Sequence, residues 1–350
     1  TPNPKPQTPN PKPQTPESKY FIKMKSPFQL VSIEETVSRQ KHIYTRYPLF
    51  KVAGLVSFVL FVTLPYLWAQ KYWPWFESLF PSKFWMQFIA PVLTGWIVHI
   101  TSSLVYYILY KNQIPFFEQF KDNDREWPWE YDPEFKEKVI KAIKLVVFNN
   151  AVISPIFALV NVCTGLLSLK TEHSQLPSFP VFLCQMVFMM FCEDICFYHS
   201  HRFLHKPWIY PHIHKIHHEF YDTICISSEY AHPVEFLIGN LIPLGMGASL
   251  FCGHAHLFTF LMFITLRLLE TSESHGGYDF PWALTRIFPF SVSSRYHNYH
   301  HLKNIGNFGS FFIFWDSIYG TNSHYYRDLL QSDKDFKEYV PRDAASVKTE

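Results

Sequence analysis

The sequence predicts an all-α integral membrane protein with about four transmembrane helices. Three observations lead there. The 350 residues are 48% hydrophobic and 19% aromatic but only 17% charged, more apolar than ordinary soluble chains. The apolar residues fall in long runs at 52–68, 84–110, 145–169, 180–198, 234–252 and 256–269, several near the ~20 residues a helix needs to cross hydrocarbon. And 14 of the 18 histidines lie between His199 and His301, among apolar neighbours.

The chain opens on TPNPKPQTPNPKPQTPESKY, two copies of TPNPKPQ. Proline at every second or third position forbids a helix interior or a central strand, so 1–20 is an extended, solvated arm. No basic start, short apolar core and small-residue cleavage site of a signal peptide is visible. Residues 21–110 hold the first transmembrane hairpin. The first four apolar runs read as spans. The last two are short, or broken by Gly239, Gly245, Gly247 and Pro243, and read as re-entrant or interfacial.

Residues 111–144 (KNQIPFFEQFKDNDREWPWEYDPEFKEKVIKAIK) are charged and rich in tryptophan, which suits a surface loop followed by an amphipathic helix at the headgroups. Lys111, Lys121, Lys136, Lys138, Lys141 and Lys144 put this segment, and with it the helix ends that face the histidines, on the cytosolic side by the positive-inside rule. Residues 145–325 carry the second hairpin and the clustered histidines, and 326–350 form a polar tail.

Lys plus Arg 31 against Asp plus Glu 29 leaves a net charge of +2, too little surplus to hold a nucleic acid backbone. Cys163, Cys184, Cys192, Cys196, Cys225 and Cys252 are scattered without CxxC spacing, so neither a disulfide framework nor a thiolate metal site is expected.

The chemistry lies in the histidines. In EDICFYHSHRFLH, His201 and His205 are four apart at the end of a long apolar helix and share a face. Asp194, seven residues before His201, falls on that face too; a carboxylate there is costly without a partner, which suggests that it orients an imidazole. In HIHKIHH, His214, His217 and His218 at i, i+3 and i+4 stack on one helix face. RYHNYHH repeats the pattern with His297, His300 and His301. Together these supply eight nitrogen donors, more than one first-row metal ion takes, so the economical reading is two ions close together. All-nitrogen ligation leaves iron, zinc, copper and nickel open.

His232 in SSEYAHPVE and His275 in RLLETSESHGGYDFPW are isolated, and on spacing each is either a ligand or a hydrogen-bonded loop histidine. Glu229, Glu235 and Glu270 adjoin these two and suit an orienting role; the competing reading is a buried ion pair such as Glu270 with Arg267. Asp316 reads as a turn or cap residue. Phe191, Phe197, Tyr198, Phe280 and Trp282 are candidates to line a substrate channel.

Taken in order and spacing, EDICFYHSHRFLH, IHKIHHEF, SSEYAHPVE, RLLETSESHGGYDFPW and SRYHNYHHLKNIGNFGSFFIFWDSIYGT resemble the motifs of the C-4 methylsterol monooxygenases, within the sterol desaturase and fatty acid hydroxylase superfamily. The resemblance runs over 111–321, roughly 60% of the chain, and is absent from the arm. It implies a helical membrane anchor with a cytosolic helical cap that holds two irons, and makes 145–325 the catalytic domain. His201, His205, His214, His217, His218, His297, His300 and His301 then occupy the ligand positions, and His232 and His275 fall on family positions as further ligands or close neighbours of the metals.

The resemblance further implies O2 as co-substrate, electrons from NAD(P)H through cytochrome b5 and its reductase, and stepwise oxidation of a sterol C-4 methyl group. It implies an endoplasmic reticulum membrane, with another organelle membrane as the alternative. Asn298, Tyr296 and the stretch Tyr221, Asp222, Thr223 replace a family acid, histidine and proline, which leaves another sterol or lipid open as substrate. Two other readings stand beside this one. The first is a related lipid hydroxylase or desaturase; the second is a non-catalytic structural subunit of a larger membrane complex, which an ordered arm would favour.

Overall fold

The computed structural model describes residues 48–332 except 123–125 and 289. The arm at 1–20, the segment 21–47 and the tail from 333 onward lie outside the described residues. Among the described residues there are no strands beyond isolated bridges such as Ser291 with Phe312.

Five helices are long and apolar enough to cross a membrane. These are α1 (Pro48–Ser78), α2 (Lys83–Asn112), α3 (Phe135–Thr164), α4 (Phe179–Leu204) and α5 (Pro233–Leu250). In their most apolar windows α1, α2 and α3 bury only 17%, 17% and 22% of residues, which leaves hydrocarbon side chains facing outward, as lipid contact requires. The windows of α4 and α5 are 50% and 44% buried, so these helices also line the interior.

Three expectations change. The run at 234–252 forms a continuous helix rather than a re-entrant segment, giving a fifth span candidate where four were expected. A π turn at Phe236–Leu241 loosens the backbone just before Pro243, where a missing N–H costs least. Gly247 then lets α5 lie directly on α4, since a Cβ there would stand 2.7 Å from the Met189 Cα. The amphipathic helix of 111–144 and the third apolar run are one helix: no Gly or Pro interrupts it from Phe135 to Ser154, and a second π turn at Asn149–Ile153 precedes Pro155. The run at 256–269 is neither re-entrant nor interfacial; it belongs to α6 (Leu257–Ser274), almost wholly buried between α2 and α4.

Because α6 is the central helix, its charges need partners inside the protein. Arg267 donates through Nε to Glu193 on α4 and through Nη1 to Glu270, both at 2.6 Å. Arg286 donates to Glu273 at 3.0 Å and pairs with Asp279. The apolar half of α6 joins Phe182, Met189 and Trp73 in the main core. A second, aromatic cluster of Tyr106, Tyr110, Trp127, Tyr278 and Phe280 packs where 114–122 and 126–131 lie over α2. There the Tyr110 hydroxyl donates to the Gly276 carbonyl at 2.8 Å and pins the turn that follows His275. The described residues end with α7 (Ser294–Lys303), α8 (Phe314–Tyr319) and α9 (Ser323–Ser332).

Replacing Gly247 with Val will force α5 away from Met189. We expect a loss of about 1–3 kcal/mol of stability, read as a lower melting temperature in detergent with metal content held constant.

Candidate metal centre

The histidine segments meet at one end of the bundle. His201 lies in the last turn of α4 and His205 caps it. His214, His217 and His218 sit on a tight 3-10 turn, His214–Glu219, and not on the α-helix that their spacing suggested. His297, His300 and His301 lie on α7, and His275 caps the end of α6.

These nine imidazoles form two groups, His201, His205, His214, His218 and His300 in one, His217, His275, His297 and His301 in the other. Within each group the potential ligand nitrogens lie within 4.8 Å of one another. The groups adjoin, with the His218 and His301 rings stacked 4.6 Å apart. Each HxxHH segment feeds both: its i and i+4 histidines enter one group and its i+3 histidine the other. On α7 the geometry explains this, because the i+3 and i+4 positions are about 100° apart around the axis. A single stack of three imidazoles, as expected from spacing, does not form.

The Nδ1 contacts decide which ring nitrogen carries the proton. Nδ1 faces a backbone carbonyl in His201 (Phe308, 3.0 Å), His217 (Tyr230, 3.1 Å), His275 (Thr271, 3.0 Å), His300 (Gly306, 2.6 Å) and His301 (Phe220, 3.1 Å). A carbonyl only accepts, so each of these Nδ1 atoms donates and each Nε2 is left as a bare lone pair. His214 Nδ1 faces the Glu235 carboxylate at 2.7 Å instead.

The Nε2 atoms then crowd together. His275 and His217 approach to 3.3 Å through Nε2, although both rings have committed their proton to a carbonyl. The pairs His297–His275, His301–His297 and His214–His205 stand at 3.1, 3.2 and 2.9 Å. His201 Nε2 is buried with no hydrogen-bond partner at all. Facing lone pairs repel unless a cation lies between them. Protonating the rings is no remedy, because burial pushes the pKa of His217 down to about 4 and of His300 to about 3. Burial, reinforced by the neighbouring imidazoles, also lowers those of His205, His214, His218, His275, His297 and His301. Neutral, inward-facing, oriented nitrogens fit bound metal ions.

Of the ten expected metal-site histidines, His232 stays outside both groups; its Nδ1 accepts from the Val234 N–H at 3.2 Å and caps the start of α5. Asp194 does not orient an imidazole either. Its Oδ1 accepts from the Phe312 N–H at 3.0 Å, a bond that ties α4 to the 306–312 loop. Glu270 is engaged with Arg267, the ion-pair reading. Glu229 accepts from Asn150 at 2.6 Å and lies 3.6 Å from His99.

The carboxylate that touches a clustered histidine is Glu235, placed opposite His214 although adjacent in sequence to His232. The orienting carbonyls were hidden from sequence reasoning because any residue supplies one. Three carboxylates hold the 306–312 loop that provides two of them. Asp316 accepts from the Phe308 and Gly309 N–H groups at 2.9 and 2.7 Å, Glu193 from the Ser310 hydroxyl at 3.0 Å, and Asp194 from Phe312. Gly306, at φ 58°, has no room for a side chain, since a Cβ would stand 1.9 Å from the Thr321 carbonyl oxygen. Asn298, where an acid was expected, donates to the buried Asp122 carboxylate at 3.2 Å, so an acid reaches this place from another segment.

A small hollow opens at the histidines, walled by Phe197, Leu204, Ser228 and Glu235 among others. Of the proposed channel aromatics only Phe197 faces it. Phe191 is exposed, Tyr198 stacks on Tyr319, and Phe280 stacks on Trp282.

Residues 186–321 match the family described as fatty acid hydroxylase. The chain is 33% identical over 212 residues to very-long-chain aldehyde decarbonylase GL1-11 of Oryza sativa subsp. indica, covering 59% of this chain and 76% of that protein. It is 32% identical over 216 residues to methylsterol monooxygenase 1 of Danio rerio and 35% identical over 216 residues to methylsterol monooxygenase 1 of Gallus gallus. These cover 61% of this chain and 70% and 69% of the two relatives. No solved structure matches at a significant level. The chain belongs to the fatty acid hydroxylase family of the sterol desaturase superfamily, and with its long apolar helices it is a multi-pass membrane oxidoreductase.

Two outcomes are expected. Above about pH 6.5, the ordinary histidine pKa, the rings are neutral folded or unfolded and their contribution to stability is complete. As pH falls from there toward the folded values, about 4 for His217 and about 3 for His300, the unfolded chain takes up protons that the folded one refuses. The melting temperature of the metal-free protein will therefore drop between pH 7 and 5. Separately, Glu235→Gln will weaken the hold on His214 and lower metal affinity by about 10–100-fold, measured by competition with a chelator.

Proposed function

We propose that this protein is a di-iron oxygenase that oxidises the C-4 methyl group of a sterol, with O2 and with electrons passed from NAD(P)H through cytochrome b5 or its reductase. The observation that carries this is the pair of adjoining, buried histidine groups, whose Nε2 atoms converge beside a small hollow at the end of the bundle. His201, His205, His214, His218 and His300 would hold one iron, and His217, His275, His297 and His301 the other. His232 falls away as a ligand in this reading. The catalytic unit is 145–325, with the histidine face on the cytosolic side of the endoplasmic reticulum membrane.

An unactivated C–H bond requires a strong oxidant, and the bound irons would supply the electrons that reduce dioxygen to one. The first turnover balances as methyl group, O2, two electrons and two protons giving a primary alcohol and water; two further rounds give the aldehyde and the acid. The chain's own residues contribute order and dryness. Glu235 and the five backbone carbonyls fix the tautomer and aim the imidazoles inward, while burial keeps them neutral. Leu204 and Phe197 exclude water. Soft thiolates, which an oxidant would damage, are absent from both ligand groups.

A long-chain aldehyde is the second substrate reading, supported by the identity to GL1-11 of rice. The structural-subunit reading has less support: all eight histidines of the three boxes are kept, buried or half-buried, and brought together, where a retired site is free to drift.

The test is metal content together with sterol turnover on purified protein, beside a variant carrying His300→Ala and His301→Ala. Two irons per chain and C-4 oxidation lost in the variant are expected. A stable, metal-poor protein without turnover would leave the structural subunit standing.

A further inference from the structure

A second, larger hollow lies within the membrane-spanning part, between α2, α3, α5 and α6. Its wall is mainly apolar, from residues such as Val92, Phe157, Leu244, Phe260 and Ile264. It adjoins the small hollow at the histidines, and two residues belong to the walls of both, Asn240 and Thr271.

The charged and amide side chains elsewhere in this wall are engaged. Asn150 donates to Glu229, Asn161 to the Phe157 carbonyl, and Arg267 to Glu193 and Glu270, while Gln87 accepts from the Leu169 N–H. The Asn240 amide and the Thr271 hydroxyl have no hydrogen-bond partner among the described residues. Their placement is built in. Asn240 lies in the π turn Phe236–Leu241, whose i to i+5 bonding brings it onto the side that also carries Glu235, the partner of His214. Thr271 is one helical turn before His275, about 6 Å along α6, and its carbonyl orients that ring.

We propose that Asn240 and Thr271 form the subsite for the single oxygen function of a membrane lipid that enters polar end first, so that a carbon no more than three bonds from that oxygen reaches the histidines. This rests on the oxygenase reading and deepens it. In a C-4 methylsterol the only hydroxyl, on C-3, is three bonds from the reacting methyl carbon; in a long-chain aldehyde the oxygen is on the reacting carbon itself. Both need a hydrogen-bonding group at the inner end of an apolar tunnel. An acyl chain attacked far from its head group needs none there, and would leave an amide and a hydroxyl against hydrocarbon.

The experiment uses the full-length, metal-loaded protein in phosphatidylcholine nanodiscs. Equilibrium binding is measured for a 4,4-dimethyl sterol and its 3-deoxy counterpart, and for a long-chain aldehyde and the matching alkane. We expect the wild type to prefer at least one oxygenated ligand over its deoxygenated counterpart by about 10–100-fold. Asn240→Leu combined with Thr271→Val should erase that preference and leave affinity for the deoxygenated ligand unchanged. A preference that survives the double variant, or a wild type with none, overturns the subsite. Should the double variant lose its metals, Thr271→Val alone, nearly isosteric, is expected to narrow the preference, and an unchanged preference again overturns the proposal. Sterol turnover without oxygen preference leaves the sterol reading standing and removes the subsite. Oxygen preference for the aldehyde with no sterol turnover does the reverse.

Discussion

Nine imidazoles are packed with their Nε2 atoms facing one another, six of them bare lone pairs, an arrangement that repels itself, and the surrounding protein is organised to hold it. Five backbone carbonyls and one carboxylate take the Nδ1 protons and fix the direction of the rings. The carbonyls come from four separate places: the 306–312 loop, the stretch around Tyr230, Phe220, and the last turn of α6. Three of these places are fixed in their turn. Asp316, Glu193 and Asp194 hold the loop, Tyr110 holds Gly276 beside His275, and Asn149 donates to the Ala231 carbonyl at 2.9 Å, next to Tyr230.

The buried charges serve the same end. Arg267 and Arg286 sit among Glu193, Glu270, Glu273 and Asp279, two guanidinium groups shared by four carboxyl groups. Buried ion pairs of this kind are weak contributors to net stability, but they tolerate no loss of one partner. They make α6 a rigid post: its lower half packs in the apolar core, and its upper end delivers Thr271 and His275 to the centre.

Two π turns mark where the spanning helices meet the hollows. Asn149–Ile153 turns Asn150 toward Glu229, and Phe236–Leu241 brings Asn240 beside the histidines. Both are followed by a proline placed where its missing N–H costs least, which lets α3 and α5 continue across the membrane in spite of a residue that would break an ordinary helix.

Length and apolar composition were enough to read α1 to α4 from the sequence, because the spanning constraint is local and one-dimensional. The i, i+3, i+4 spacing likewise disclosed eight of the nine clustered histidines. It did not disclose how they divide, since the split between the two groups depends on how α4, the 3-10 turn and α7 approach one another. His232 and His275 were indistinguishable in sequence, both lone histidines beside a glutamate; only the tertiary path turns His275 inward and leaves His232 as a helix cap. Asp194 shows the same limit, for its helical phase matched His201 but its carboxylate reaches the Phe312 N–H. The sequence by itself determined that this chain enters a membrane and gathers imidazoles. Which nitrogens face inward, and which carbonyls and carboxylates hold them there, was decided by backbone groups that carry no sequence signature and by contacts between residues as much as 166 positions apart.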